Sequence, residues 1–190
     1  MRPIEPRSAL GTLEPAGDRW QLRFTRDFPH PPEKVWRAVT EPEHLEAWFP
    51  TTIDGERRPG AKLRFTFPYE EAPPMDGEML AYDPPSLMEL RWGDDTLRIE
   101  LQPTDAGTRM TLIDVFDDLG KAARDAAGWH GCLDILAYEV AGEPKPWTDE
   151  EGRDLGERWK ILNPIYVEVL GPEASTEGPP DWHPEGESGA

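Results

Sequence analysis

From Leu119 to Val140 the chain reads LGKAARDAAGWHGCLDILAYEV, the only long stretch with a sustained helical period. Ala122, Ala126, Trp129, Leu133, Leu136 and Val140 recur at alternating intervals of four and three, which puts them on one stripe turned toward a core. A helix over about residues 119–141 is predicted, closed by Gly142 in a left-handed cap with Pro144 just beyond. Small residues fill the first half of the stripe and bulky ones the second. Such a helix does not seal a sheet evenly, so an internal space is expected beneath its alanine-rich half. Gly128 and Gly131 each cost up to roughly 1 kcal/mol against alanine inside a helix. Either the backbone approaches the sheet closely there or the helix bends.

The chain before this helix reads as a sheet. Gly11–Leu13 and Trp20–Phe24 flank the turn-rich Pro15-Ala16-Gly17-Asp18 and predict an opening hairpin. Pro32 suits the first turn of a short helix through Val39, and Thr40 with Glu43 forms a capping-box pattern for a second, ended by Pro50. Alternating runs follow at Lys62–Phe67, Gly77–Tyr82, Leu87–Trp92, Thr96–Leu101 and Thr108–Phe116, separated by short turn-forming clusters. An antiparallel meander and an α+β class follow. On its last strand Asp114 shares the face of Met110, Leu112 and Phe116, so a carboxylate points inward.

After the long helix, Thr148 and Glu151 form a capping box for an additional helix over about 148–170, kinked at Asn163-Pro164. Its stripe is Leu155, Trp159, Leu162, Tyr166 and Val169. Packing on its own domain is the preferred role for that stripe, and either a monomer or a homodimer suits it. Residues 1–9 read as a flexible terminus, 10–171 as one domain, and 172–190, rich in Gly, Pro, Glu and Ser, as a disordered acidic tail.

Charge narrows the partners. Thirty-eight acidic against 20 basic residues leave a net charge of −18, which repels nucleic-acid phosphates and anionic lipid surfaces. Neither nucleic acid nor membrane is expected as a partner. A single cysteine, Cys132, rules out an intrachain disulfide and a four-thiolate zinc site, which fits a reducing compartment. With neither a leader-like start nor an eighteen-residue apolar run, a cytoplasmic protein is expected.

FTRDFPHPPEKVWRAVTEPEHLEAWFP, GEMLAYDPPSLMELRW and AAGWHGCLDILAYEV together resemble the bacterial proteins similar to the activator of Hsp90 ATPase. These belong to the START-like superfamily, which also holds polyketide cyclases and plant ligand carriers. The resemblance spans about residues 10–171. It implies a helix-grip fold, in which a curved antiparallel sheet grips the long helix around an apolar cavity. It further implies that Trp48 and Phe49 lie near one cavity mouth and Trp129 on the other side. No family-wide catalytic set exists to be carried over.

His130 and Cys132 invite a metal or nucleophile reading, but residues two apart on a helix point about 200° apart. No metal site and no cofactor is expected. Asp114 has two readings: a desolvated acid or base facing the cavity, or, preferred, a carboxylate beside a bulge at a strand end, either solvated or capping the loop at Leu119. Trp36 is expected to pack under the sheet edge. Trp48, Phe49, Tyr69, Trp92, Trp129 and Leu133 are the candidate cavity lining, with Asp114, Tyr69 or His130 as polar anchors. Asp94-Asp95 and Asp117-Asp118 sit in turns where carboxylates are normally solvated. The leading expectation is a binding protein for a hydrophobic or amphipathic small molecule. The alternatives are a cyclase, dehydratase or hydrolase using Asp114 or His130 in the same cavity, and a chaperone-associated, stress-response protein.

Overall fold

The computed structural model describes residues 9–68, 72–144 and 155–178, with side chains from 158 onward in the last stretch. Eight antiparallel strands form one sheet in the order β1-β2-β8-β7-β6-β5-β4-β3. They are β1 (Thr12–Ala16), β2 (Arg19–Phe28), β3 (Thr52–Asp54), β4 (Lys62–Thr66), β5 (Met75–Asp83), β6 (Leu87–Trp92), β7 (Asp95–Thr104) and β8 (Gly107–Phe116). Two short helices, α1 (Pro32–Thr40) and α2 (Pro42–Leu45), connect β2 to β3. The long helix α3 (Ala122–Ala141) follows a 3₁₀ turn at Leu119–Lys121, and α4 (Leu155–Leu170) comes last. No helix among the described residues is long and apolar enough to cross a membrane.

Strand alternation decides the faces. Leu22, Phe24, Leu97, Ile99, Met110, Leu112 and Phe116 point inward and are buried. The opposite face carries cross-strand ion pairs, Arg98 with Glu89 and Arg109 with Asp27. β1 and β3 form the two edges. β3 is three residues long, too short to register as an alternating run, and was not anticipated.

Two local expectations need correction. Thr40 does not cap α2; it is the last residue of α1, and its hydroxyl donates to the Trp36 carbonyl at 2.7 Å. Pro42 starts a single helical turn whose N-cap, Glu41, makes no side-chain cap bond. The tail expected to be disordered from 172 continues instead as a 3₁₀ turn, Pro172–Ser175, burying Ala174, while the Glu177 amide donates to the Gly120 carbonyl. The Thr148–Glu151 capping box and residues 1–8 of the terminus expected to be flexible over 1–9 lie outside the described residues. Helix α4 continues through Pro164.

Helix α3 is buried on two sides. The anticipated stripe faces the sheet. A second set at helical spacing, Ala123, Ala127, His130 and Asp134, is also buried, and its polar members reach α4. Alanine therefore serves helix packing and not a hollow: Ala122, Ala123, Ala126 and Ala127 are each 0% exposed, so no water-sized sphere touches them. The space expected beneath the alanine-rich half is absent at those four residues. Gly128 does not mark a close backbone approach either, because a side chain built there would meet nothing within 4 Å. Gly142 takes the left-handed conformation with φ 67°, and the amides of Gly142 and Glu143 return to the Glu139 and Tyr138 carbonyls, as the C-terminal signal predicts. From α4, Leu162 and Tyr166 are buried against the domain, but Val169 is 56% exposed and falls off the stripe.

Candidate functional site around Asp114

Asp114 lies two residues before the end of β8, an interior strand, paired across to Leu22 on β2 and to Leu97 on β7 in unbroken register. It is 1% exposed. Its place near a strand end is as expected, but the solvation, the bulge and the cap are corrected. The irregular register lies elsewhere, on β5 between Met79 and Ala81, and the cap at Leu119 is Asp118, whose carboxylate accepts from the Gly120 amide at 2.8 Å. The indole N–H of Trp129 donates to Asp114 Oδ2 at 3.0 Å. The other oxygen, Oδ1, is buried without a hydrogen-bond partner. Burial, reinforced by the charges of Asp95 and Asp125, pushes the Asp114 carboxyl up to about 7 against the opposing Trp129 bond.

Those two neighbours complete a cluster that the sequence did not reveal. One carboxylate oxygen each from Asp95, Asp114 and Asp125 lie within 4.8 Å of one another. Asp95 opens β7, Asp125 lies in the first turn of α3, and Lys121 stands just before that helix. The Lys121 ammonium is 2.5 Å from Asp95 Oδ2, 3.5 Å from Asp125 Oδ2, and 5.3 Å from the centre of the Phe116 ring. Asp95 is thus a mostly buried, lysine-paired group and not a solvated turn carboxylate. Burial raises its carboxyl, with Lys121 pulling the other way. Lys121 itself titrates above its usual range because these acids outweigh the effect of its burial.

Beside Asp114 the aromatic candidates do meet. Trp129 packs on Phe49 (centroids 5.7 Å apart) and on Trp92 (6.1 Å), and Phe49 packs edge-on against Trp92 (5.3 Å). Phe49 and Trp129 therefore touch; they do not flank opposite sides of a space. Trp48 lies edge-on to Phe49, and its indole donates to the Ala38 carbonyl, which ties the end of α2 to α1. Leu133 continues the sheet-facing stripe one turn beyond Trp129 and is buried. Tyr69 lies outside the described residues.

His130 is not brought to Asp114. One residue past Trp129, it turns to α4, where its Nδ1 lies 2.8 Å from the Tyr166 hydroxyl, which also accepts the Gly11 amide at 2.9 Å. Burial drives the imidazole down to about 4, against the pull of Asp134. Cys132 is buried and its thiol is pushed up to about 12, so it is neutral and inert. A separate open groove of about 470 Å³ lies on the α1 side, lined by Trp36, Thr40, Ile53, Arg57 and Tyr82. There the Trp36 and Tyr82 rings pack 5.4 Å apart.

An eight-stranded antiparallel sheet wrapped on a long C-terminal helix, with two short helices after the second strand, defines a helix-grip protein of the START-like class. The chain belongs to the family described as Activator of Hsp90 ATPase homolog 1-like protein, whose profile matches residues 29–141. Among solved structures, CalU16 from Micromonospora echinospora is similar with a TM-score of 0.59 and 23% identity, covering 83% of this chain and 94% of that one. A conserved protein of unknown function from Enterococcus faecalis gives a TM-score of 0.64 at 19% identity, covering 84% and 90%. A protein from Nitrosomonas europaea gives 0.57 at 23%, covering 67% and 97%. At these identities the likeness speaks for the fold. No curated protein matches the sequence.

Proposed function

We propose that this family member binds a small hydrophobic or amphipathic molecule between the long helix and the sheet, beside Trp129 of α3. START-like folds commonly hold hydrophobic ligands. The observation that carries the reading is the position of Trp129, whose ring packs on Phe49 and Trp92 while its indole N–H holds Asp114. Binding sites of this kind are mostly apolar, with a few placed polar groups. Trp129, Phe49 and Trp92 supply the apolar wall and Asp114 the polar end.

Native mass spectrometry of the protein purified from its own host tests this. A retained mass of small-molecule size is expected in the wild type and lost in Trp129→Ala. A bare chain, together with unchanged tryptophan fluorescence across a panel of amphipathic compounds, removes the proposal. Stimulation of a purified Hsp90-type ATPase is the discriminating assay for a chaperone role, and a ligand carrier leaves that rate unchanged.

A further inference from the structure

We propose that Asp95, Asp114 and Asp125 form a binding site for one hard divalent cation, between the start of β7, the C-terminal end of β8 and the first turn of α3. The site depends only on these carboxylates and stands whether or not the aromatic wall takes a ligand. Three acids from three separate elements converge so that their oxygens lie within 4.8 Å of one another. Calcium holds its oxygens at about 2.4 Å, so two ligands of one ion lie at most about 4.8 Å apart, and the three carboxylates fall within that limit.

Two further observations point to a ligand. Asp114 Oδ1 belongs to a side chain that is 1% exposed and has no hydrogen-bond partner, an arrangement native proteins rarely leave unfilled. The charges also do not balance. Three carboxylates meet two cationic side chains among the described residues, Lys121 on Asp95 and Arg124 on Asp125, and neither forms an ion pair with Asp114. An all-oxygen donor set selects hard cations such as Ca²⁺, Mg²⁺ or Mn²⁺ over thiolate- or imidazole-seeking metals.

Lys121 is the resident competitor. Its ammonium occupies the approach between Asp95 and Asp125, on a flexible stem that lets it swing out toward solvent. Cation binding therefore exchanges a lysine ammonium for a metal ion. The lysine lowers the affinity of the site and sets it to respond to free cation concentration.

The test is titration of chelator-treated, full-length protein with Mn²⁺, followed by electron paramagnetic resonance of the free ion, and with Ca²⁺ by calorimetry. One ion per chain is expected. Asp114→Asn is expected to weaken binding at least tenfold, and Asp125→Asn, at a partly exposed position, to do the same should the first variant fold poorly. Lys121→Met, which removes the competitor, is expected to tighten it several-fold. The acidic segment around Asp149–Glu151 provides the control: neutralising it is expected to leave the affinity unchanged. Absence of saturable binding at millimolar Mn²⁺ and Ca²⁺ overturns the site. So does binding that survives both aspartate substitutions or follows the control segment. No organic ligand is present in these titrations, so failure of the small-molecule reading leaves their outcome untouched.

Discussion

Trp129 and Asp114 are joined across the interface between helix and sheet by a 3.0 Å bond from indole N–H to carboxylate. It is the one hydrogen bond this buried carboxylate makes among the described residues, and it fixes the Trp129 ring against Phe49 and Trp92.

Removing the indole donor by Trp129→Phe leaves both oxygens of Asp114 unpaired. Leaving a buried polar group unsatisfied costs about 1–3 kcal/mol. Urea midpoints of Trp129→Phe, Asp114→Asn and the double variant are expected to be non-additive by at least ~1 kcal/mol, the second substitution costing less once the first is made. Strictly additive losses mean that the bond contributes nothing.

Gly128→Ala is expected to stabilise the protein. The added methyl meets nothing within 4 Å, the position is helical, and alanine gains about 0.5–1 kcal/mol over glycine there. Thermal melting is expected to shift upward by a few degrees. A downward shift would show that the helix needs glycine at this position for a reason other than space.

His130 makes stability depend on pH in a defined direction. Its folded pKa of about 4 lies below the ordinary 6.5, because it is buried among Arg26 and Arg158, with Asp134 opposing and Tyr166 bonded to Nδ1. The unfolded chain therefore takes up the proton first. The contribution of His130 is complete above pH 6.5, declines as the pH falls, and is lost near pH 4, a change on the order of 2–3 kcal/mol. Comparing urea midpoints of wild type and His130→Gln from pH 7.5 to 4 isolates it, since Asp114 titrates in both. Parallel pH profiles would contradict the assignment.

Gly120 is the close contact for the turn after α4. An added Cβ would run into the Thr176 hydroxyl. Gly120→Ala is expected to loosen residues 172–178, seen as faster proteolytic cleavage after Gly171 at little cost in global stability. Thr176→Gly in the same chain is expected to restore resistance. Unchanged cleavage of Gly120→Ala would show that the turn yields without detaching.

The elements that the sequence made legible are those with a strong period. The meander from Lys62 to Phe116, α1, and the sheet-facing stripe of α3 all follow from alternation or 3.6-residue spacing. Asp114 was visible because it broke the alternation of β8, yet its surroundings were not. Asp95, Lys121 and Asp125 come from a strand start and a helix start, and only the register that brings β7 beside β8 under α3 unites them. Local composition around Asp95 spells a turn, which is why solvation was the natural expectation. The alanines of α3 misled for a related reason: one period exposes one face, whereas this helix is covered on two sides once α4 docks.

The two outer strands carry a further consequence for how molecules of this chain meet one another. A sheet that does not close on itself offers its outer strands as templates for another chain's backbone. Here one margin is only three residues long, Thr52–Asp54, and the other carries Pro15 in a five-residue strand. Proline lacks the amide that a recruited strand needs, and three residues give little length for pairing. The sheet margins are thus poor seeds for strand-by-strand growth, which leaves helix and loop surfaces as the places where any self-association must be built.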